Sequence, residues 1–288
     1  VVAVHDDDAG PGAAFAVGDT VVATWEISGG GGLADYCLVD AVRAAVKPPS
    51  LSNVDGAALA NSAGHALLAV RAARVAAGDR VLVLGGGGGV GTALVQLARD
   101  AGAGHVAATA ADAKRLAGLG VDDPIPYGER DWWAVPPGTP PYDVVFDCAV
   151  GDDAWRRVAA SPAVLKAARD GGRFVAIHHA VRIVCHGWGD VLRFLAPLVG
   201  RAAGSFFRRS APRYRVFLGT ITGGVLREVL AAAAAGKLRA VIDPAGPFPM
   251  TTEGVRAAFN LHASRHAQGK VVIRVAEEAT GGAGSDDL

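Results

Sequence analysis

The stretch that decides the fold is VLVLGGGGGVGTALVQLA, residues 81–98. It begins with an apolar run typical of a buried strand, continues with glycines typical of a tight turn, and ends with an Ala- and Leu-rich run typical of a helix. Gly86, Gly88 and Gly91 have the spacing of the dinucleotide-binding fingerprint, and Gly85 gives the turn further freedom. In that motif the glycine backbone approaches a pyrophosphate at the N-terminus of the helix. We therefore predict a nucleotide site here, and not a glycine turn that only packs.

Outward from this stretch, apolar runs and helical segments alternate along the chain. Continuous apolar strands separated by helices are typical of a parallel sheet covered by helices on both faces. We therefore predict an α/β fold of the Rossmann type, with a doubly wound parallel sheet. The predicted strands cover residues 80–84, 105–109, 143–148, 173–178 and 214–218. The predicted helices cover residues 90–101, 112–119, 152–169 and 225–235.

The two ends of the chain have a different pattern. Residues 19–25 and 34–39 predict two short antiparallel strands, joined by a glycine-rich loop at 29–32. Residues 270–275 predict one more strand, and residues 277–288, rich in Gly, Ser and Asp, predict a flexible tail. We expect two domains. They are a nucleotide-binding domain over residues 53–242 and a second domain assembled from residues 1–52 and 243–276.

The residues after the second predicted strand decide between NADH and NADPH. A site that prefers NADH usually has a carboxylate at the end of that strand, which binds the ribose 2′-hydroxyl. Residues 109–111 (Thr-Ala-Ala) occupy that position, and Asp112 is better explained as a helix cap. Lys114 and Arg115 follow, and their charges would attract a 2′-phosphate. Solvent exposure without a ligand is an equal alternative for Arg115 and a weaker one for Lys114. We predict NADPH.

Composition argues against several function classes. Lys and Arg together number 28, as do Asp and Glu, so no net charge indicates a nucleic acid or an anionic membrane as partner. No apolar run is long enough to predict a transmembrane segment. Cys37, Cys148 and Cys185 are far apart in sequence, which indicates isolated buried thiols rather than a disulfide framework or a zinc knuckle.

These segments together resemble the medium-chain dehydrogenase/reductase superfamily, in its zinc-independent quinone oxidoreductase branch. The resemblance is carried, in family order, by FAVGDTVVATW (15–25), GGLADYCLV (31–39), the glycine fingerprint, YDVVFDCAVG (142–151), GGRFVAI (171–177) and HAQGKVVI (266–273). Residues 214–243 are similar to the reticulon-4-interacting protein 1 group of mitochondrial NADPH oxidoreductases. The resemblance implies a Rossmann domain inserted into a GroES-like β domain. Because family members begin well before the segment that matches Val1, we expect the N-terminal part of that β domain to be missing.

The resemblance also implies which residues contact NADPH. Ala111 departs from the family, where a serine commonly contacts the 2′-phosphate. For Tyr127 and Lys270, a purely structural role is an alternative. The implied contacts are Gly87, Gly89 and Val90 in the glycine loop, Ala111 and Lys114 after the second strand, Tyr127 after the third strand, and Lys270 beside the cleft.

The resemblance also indicates which residues to consider as metal ligands and as catalytic groups. Zinc-dependent members of the superfamily have a cysteine where Asn61 stands and a cysteine-rich lobe that this chain lacks. His262 and His266 would share a helix face, but no third ligand is evident, so we predict no metal. The candidates near the nicotinamide are Asn61 and His65, together with His178, which ends a predicted strand and would donate a proton or a hydrogen bond. None of the three is assigned firmly.

The function implied by the resemblance is hydride transfer from NADPH to a small-molecule quinone or activated enone. Two alternatives stay open. One is a non-catalytic nucleotide-binding subunit or scaffold of a larger assembly, and the other is a 2-enoyl thioester reductase. The predicted strand at 214–218, near the sheet edge, would pair two copies in a homodimer. The resemblance implies the mitochondrial matrix, with the cytoplasm or a plastid as alternatives.

Overall fold

In the computed structural model, the described residues are 15–25, 31–177, 188–208, 210–217 and 219–276. Some predicted features lie outside these residues. They are the candidate His178, Cys185, the first half of the glycine-rich loop at 29–32, and the tail at 277–288.

A six-stranded parallel sheet forms the centre of the fold. The strands are β1 (Val21–Ala23), β2 (Ala44–Val46), β3 (Arg80–Leu84), β4 (His105–Ala110), β5 (Asp123–Pro126), β6 (Val144–Asp147), β7 (Arg173–Ala176), β8 (Arg213–Val216), β9 (Phe248–Pro249) and β10 (Ile273–Arg274). The large sheet has the order β5-β4-β3-β6-β7-β8, and each neighbouring pair is parallel. This is the strand order of the Rossmann fold, so the predicted doubly wound α/β architecture is confirmed.

Helices cover both faces of this sheet. They are α1 (Asn53–Ala73), α2 (Gly89–Asp100), α3 (Asp152–Ala160), α4 (Trp188–Phe207), α5 (Gly223–Ala234) and α6 (Thr252–Ser264). Helix α1 packs against α2 and α5 on one face, whereas residues of α3 and α4 belong to the core of the opposite face. Among the described residues, no helix combines the length and the apolar character needed to cross a bilayer.

Strand β3 contributes side chains to the hydrophobic cores on both faces of the sheet. Val81 and Val83 join the core that includes Leu94 of α2, whereas Leu82 and Leu84 join the core on the other face. All four strand residues are fully buried. Successive side chains of a strand point to opposite faces, so an uninterrupted apolar run fits a strand that is covered on both sides. Burying each such side chain contributes roughly 1.5–3 kcal/mol.

The strand order also determines where a ligand can bind. Strand β3 lies between β4 and β6, so the chain leaves it towards one side of the sheet and later returns on the other. The loops that follow β3 and β6 therefore diverge above the carboxyl ends of the strands. In open parallel sheets, this point of divergence is where ligands bind.

Near the chain ends, one strand prediction was wrong and another was only partly confirmed. Residues 34–39 form no strand, and β1 pairs instead with β2 in an antiparallel ribbon. The segment at 34–39 has no buried face, since Tyr36 is 73% exposed and Leu38 is 91% exposed. The predicted strand at 270–275 is reduced to the two residues of β10, which pair with β9 in parallel.

Two predicted helices are shorter than expected. Residues 112–119 form only a 3-10 turn, Ala113–Leu116, because Gly118 and Gly120 follow with positive φ angles of 77° and 88°. Helix α3 ends at Ala160, well before residue 169, because Pro162 disfavours a helical conformation at Ser161 before it. The long helix α1 was not predicted at all.

Arg173 joins the end of α1 to the start of β7, and its replacement by alanine is expected to cost about 2–3 kcal/mol of stability. Its guanidinium donates to the carbonyl oxygens of Ala73 at 3.0 Å and Arg74 at 2.8 Å, and to a carboxylate oxygen of Asp79 at 2.8 Å. Both side chains of the ion pair are largely buried, so truncation leaves a buried carboxylate without its partner. Chemical denaturation measures the loss.

The matched control for Arg173→Ala is Arg71→Ala. Arg71 pairs with Glu228, but the two side chains are 49% and 52% exposed, so water screens the pair. We expect that change to cost no more than about 1 kcal/mol. Equal losses in the two variants would contradict the role given to Arg173.

Candidate functional site

The loop between β3 and α2 is built almost entirely from glycine. The amide of Gly85 donates to the hydroxyl of Thr109 at 2.8 Å, and the amide of Gly88 donates to the carbonyl of Gly85 at 3.2 Å. Gly88 is the N-cap of α2, and no side chain caps this helix end. The first amides of α2 are therefore donors without a side-chain acceptor, and the positive end of the helix dipole lies with them. Such a helix end suits an anion.

Packing explains some of these glycines but not all of them. A Cβ on Gly91 would lie 2.1 Å from the carbonyl oxygen of Gly85, and a Cβ on Gly86 would lie 2.6 Å from the Cβ of Ala108. Gly88 is different, because its φ of −85° suits any residue and a Cβ there would meet nothing nearer than 3.6 Å. The fold alone does not require glycine at position 88. A ligand that approaches this backbone closely would require it.

A cavity of about 1030 Å³ opens directly above this loop. Its floor is formed by the carboxyl ends of β3, β4, β5 and β6, and its opposite wall by α6 and residues 265–268. Such a volume is at the upper end of the range for small-molecule and cofactor sites. The lining includes Gly85, Gly87, Gly88, Ala111, Arg115, Tyr127, Trp132, Trp133, Cys148, Ala149, Arg265 and Gln268.

The loop after β6 forms one wall of this cavity, and a buried carboxylate shapes it. Asp147 is completely buried and accepts hydrogen bonds from the amides of Ala149 at 3.1 Å, Val150 at 2.8 Å and Gly151 at 2.6 Å. Cys148 lies between them, and burial raises the pKa of its thiol, which keeps it protonated. Cys148 is partly buried and lines the cavity, and a thiol that stays protonated is a poor nucleophile and a poor metal ligand.

The C-terminal segment closes onto the glycine loop. Gly88 and Gly269 form an isolated parallel bridge. The next residue, Lys270, is held by two backbone hydrogen bonds, from its amide to the carbonyl of Val241 at 2.7 Å and to its carbonyl from the amide of Asp243 at 3.0 Å. Its Cδ lies 3.2 Å from where a Cβ on Gly89 would be. A lysine stem therefore lies against the first turn of α2.

The ammonium group of Lys270 is only partly in contact with water. Among the described residues it makes no ion pair. Burial lowers the pKa of Lys270 from its ordinary value, because the charged form loses hydration. A cation held in this way is paired once an anion binds at the N-terminus of α2.

Lys270→Met is expected to unfold at the same temperature as the parent protein or higher at pH 7. The pKa of Lys270 is lower in the folded state than in the unfolded chain, so folding carries the full cost of the buried charge below both pKa values. That cost disappears as pH rises towards the ordinary lysine pKa of about 10.4. Thermal melts should therefore show a difference that shrinks with rising pH.

The control for this variant is Lys237→Met. Lys237 pairs with Asp100 at 3.2 Å and is 61% exposed, so its removal should change the melting temperature little at any pH. A Lys270→Met protein that melts well below the parent at pH 7 would contradict the account of a costly buried cation.

Helix α1 brings three polar side chains to the same region. Ser62 is buried, and its hydroxyl lies 3.2 Å from where a Cβ on Gly89 would be. Nδ1 of His65 lies 3.0 Å from the carbonyl oxygen of Asn61 and 3.2 Å from its side-chain oxygen. The His65 ring meets the edge of the Phe217 ring, just after β8, at 5.7 Å between centroids. Burial, and then the charge of Lys270, lower the pKa of His65, which favours the neutral imidazole.

The structure brings most of the predicted site residues together. Gly85, Gly87, Gly88, Ala111 and Tyr127 line the cavity, while Gly86, Gly89, Val90 and Gly91 complete the turn beneath it. Asn61, His65 and Lys270 lie beside the start of α2. Lys114 and Arg115 are both exposed, and of the two only Arg115 lines the cavity.

Several lining residues were not singled out from the sequence. Trp132, Trp133, Arg265 and Gln268 carry no motif that indicates a ligand. Their proximity to the glycine loop depends on long-range packing, so only the dinucleotide fingerprint and the family resemblance gave any signal in this region.

The described residues do not offer a zinc site. They include no group of three or more His, Cys, Asp or Glu side chains that could hold a metal ion. Arg265 ends α6 in a left-handed conformation with φ of 61°, so His266 lies beyond the helix and does not share a face with His262. The expectation of an i, i+4 histidine pair on one helix was therefore wrong.

Known proteins are similar to this chain over most of its length. The NADPH-dependent alkenal/one oxidoreductase of Arabidopsis thaliana, named chloroplastic, is 31% identical over 246 residues, which cover 84% of this chain and 53% of the plant protein. The NAD(P)H oxidoreductase RTN4IP1 of Danio rerio, named mitochondrial, is 28% identical over 277 residues, which cover 92% of this chain and 68% of the fish protein. The chain thus spans about half the length of the plant relative.

A solved structure and a family model indicate the same group of proteins as these relatives. The quinone oxidoreductase of Thermus thermophilus, solved also in complex with NADPH, has a TM-score of 0.57 at 27% identity, over 85% of this chain and 74% of that one. Residues 119–273 match the family model described as a zinc-binding dehydrogenase. This match covers more than half of the chain, which therefore belongs to the zinc-binding dehydrogenase family, within the medium-chain dehydrogenases and reductases.

Proposed function

We propose that this protein is an NADPH-dependent oxidoreductase that reduces an activated enone or a quinone. The observation that carries the proposal is the cavity above Gly88, a position where ligand approach explains glycine and packing does not. The names of the plant relative and of the Thermus thermophilus structure support the cofactor and the substrate class.

The chain's own residues would hold the cofactor in an extended conformation. The amides at the start of α2 and the ammonium of Lys270 would bind the pyrophosphate, because both present positive charge at the same place. Ala111 and Tyr127 would then line the adenosine end of the cavity. Lys270→Met should therefore weaken NADPH binding while it leaves the melting temperature unchanged or raised.

The nicotinamide end would lie towards Asn61, His65 and Phe217, at the carboxyl end of β8. When bound, the cofactor supplies a hydride to the carbon β to a carbonyl, and the α-carbon of the product then takes up a proton. Asn61 and His65 are the described polar groups placed to orient a substrate carbonyl or to deliver that proton. His178 stays a candidate from the sequence alone.

The family name refers to zinc, but this proposal includes no metal. The pKa of the partly buried Cys148 thiol is raised, which keeps it protonated, and Asn61 stands where zinc-dependent relatives are expected to have a cysteine ligand. The donor atoms of the described residues therefore do not fit a tetrahedral zinc site. Every step proposed here uses the cofactor, the substrate and the polar groups already named.

Domain organisation, assembly and location are also proposals. We propose that residues 53–242 form the cofactor domain, and that residues 1–52 and 243–276 contribute to a second, GroES-like domain. Strand β8 is the last strand of the sheet, so two copies could pair there in a homodimer. The relatives named mitochondrial and chloroplastic make either organelle a reasonable proposal for the compartment.

The experiment that tests the function uses NADPH deuterated at C4, as separate R and S isomers, with a panel of enones. We expect one isomer, and not the other, to place a single deuterium on the β-carbon of the product, as measured by mass spectrometry. Quinones are followed by the loss of absorbance at 340 nm. Binding of NADPH without transfer to any member of either panel would overturn the oxidoreductase proposal and favour a nucleotide-binding subunit.

A further inference from the structure

Four arginines lie close together where the end of α1 meets the edge of the sheet. Arg173 and Arg213 are the first residues of β7 and β8 and are register partners, and Arg215 is two residues further along β8. Register partners share a face of the sheet, and so do residues i and i+2 of one strand. The guanidinium of Arg173 also donates to the carbonyl oxygen of Arg74, the C-cap of α1, at 2.8 Å. We call Arg74, Arg173, Arg213 and Arg215 the arginine cluster.

The arginine cluster is separate from the cavity above the glycine loop. That cavity lies at the carboxyl ends of β3, β4, β5 and β6, whereas the cluster begins at the amino ends of β7 and β8. Among the described residues that line the cavity, there is no member of the cluster. A ligand bound at the cluster would therefore not occupy the cofactor site.

Only one of the four charges is matched by a carboxylate. Arg173 pairs with Asp79 at 2.8 Å. Within the part of the chain that the structure describes, the other three members of the cluster make no ion pair. The guanidinium carbon of Arg213 lies 4.8 Å from the ring centroid of Phe206, a contact that stabilises the cation but does not neutralise it.

Two members of the cluster also have a buried nitrogen without a partner. The described residues contain three buried side-chain nitrogen or oxygen atoms that make no hydrogen bond, and two of them are Nε of Arg173 and Nε of Arg215. Unsatisfied atoms of this kind are rare in folded proteins and call for an explanation, such as a bound ion or water. Burial, and then the positive charges of Arg74, Arg213 and Arg173, lower the pKa of Arg215. The fold therefore holds like charges together at a cost that a bound anion would offset.

We propose that Arg74, Arg213 and Arg215 form an anion site that binds a phosphate group, either as free phosphate or as a phosphate monoester. A guanidinium presents its donors in a planar fork that matches the oxygens of phosphate, and a dianion among three cations replaces repulsion with attraction. Arg173 has a structural part, because its terminal nitrogens already bond Asp79 and the end of α1. This site would operate whether or not the protein reduces an enone or a quinone.

The test measures binding and stability of the whole chain in a buffer without phosphate. Inorganic phosphate should raise the melting temperature more than KCl at the same ionic strength, because a ligand that binds only the folded state stabilises it. Calorimetry then gives dissociation constants for inorganic phosphate and for glycerol 2-phosphate, and the tighter of the two identifies free or esterified phosphate as the source.

Three variants locate the site. Arg215→Gln should weaken phosphate binding about tenfold or more, the loss expected for charge-assisted hydrogen bonds. Arg74→Gln changes an exposed side chain that the fold does not need, and it should weaken binding at least about threefold. The matched control is Arg71→Gln, one turn earlier on α1, where the arginine is already paired with Glu228 and the change should be less than about twofold.

Two outcomes would overturn the proposal. An equal rise in melting temperature in phosphate and in KCl would mean that salt only screens the arginines, which then only protect the edge strand β8 from pairing. Phosphate binding that is unchanged in both cluster variants, but lost in Lys270→Met, would place the anion at the glycine loop. Neither outcome affects the proposed function, which deuterium transfer from NADPH tests separately.

Discussion

Replacing Gly91 with alanine is expected to lower the free energy of unfolding by about 3 kcal/mol or more. The new Cβ would lie 2.1 Å from the carbonyl oxygen of Gly85 and 2.7 Å from the Cα of Gly86. Both are backbone atoms of the tight turn, so no side chain can rotate away to make room. The turn must open or α2 must move away from β3, and both changes disturb a core that is fully buried. Urea denaturation measures the loss.

Gly88→Ala is the control for this prediction. It adds the same methyl group to the same loop, but the nearest atom to the new Cβ is 3.6 Å away and the φ of −85° suits alanine. We expect its free energy of unfolding to stay within about 0.5 kcal/mol of the parent value, as for changes away from packed features. A Gly91→Ala protein as stable as Gly88→Ala would contradict the packing that the structure shows.

Replacing Asp147 with alanine is expected to be the second large effect, with a loss of about 3–5 kcal/mol. The change leaves the amides of Ala149, Val150 and Gly151 without their acceptor, at a position that water does not reach. Hydrogen bonds to a charged acceptor contribute about 1.5–3 kcal/mol each, and the three are not additive. Because the same loop forms a wall of the cavity, nucleotide binding should weaken as well.

Asp153→Ala is the control for Asp147→Ala, because it also removes a carboxylate that lines the cavity. Asp153 also lines the cavity, but it is partly exposed and pairs with Arg157 at 2.6 Å one turn along α3. Pairs of this kind contribute about 0.3–0.5 kcal/mol. Similar losses in the two variants would show that the loop does not depend on the buried carboxylate in the way described.

The glycine fingerprint predicted the turn, but not which of its glycines the fold itself needs. Strand, turn and helix follow one another within residues 80–100, so local pattern was enough to place them. Whether a glycine is required by packing depends on atoms that are distant in sequence, such as Ala108 beneath Gly86. The distinction between Gly88 and Gly91 therefore needed the structure.

The sequence pattern likewise did not predict how Lys114 and Arg115, the two cations after β4, are oriented. The sequence predicts a helix at 112–119, and the family resemblance implies a cofactor contact at Lys114, which stays a prediction. The 3-10 turn that forms instead presents Arg115 to the cavity. Burial of Leu116 fixes that turn, and burial is a tertiary property that propensity does not contain.

Helix α1 shows why a helix with no clear apolar stripe escapes prediction. It contacts α2, α5 and the ribbon formed by β1 and β2, so buried residues occur all round it and no single face stands out. Small residues allow α1 to pack closely against its neighbours. A Cβ on Gly64, for example, would lie 2.8 Å from Cδ1 of Ile221. The positions of Asn61 and His65 on α1, next to Phe217, follow from this packing.

The most direct test of the central claim is to measure NADPH binding to the parent protein and to Gly88→Ala by titration calorimetry, after melts have shown that both are folded. The account predicts that the parent binds NADPH and that the variant, equally stable, binds it at least about tenfold more weakly, because the added methyl group obstructs the approach of the pyrophosphate. Equal affinity in the two proteins, or no binding by the parent, would contradict the claim that this glycine loop is a cofactor site.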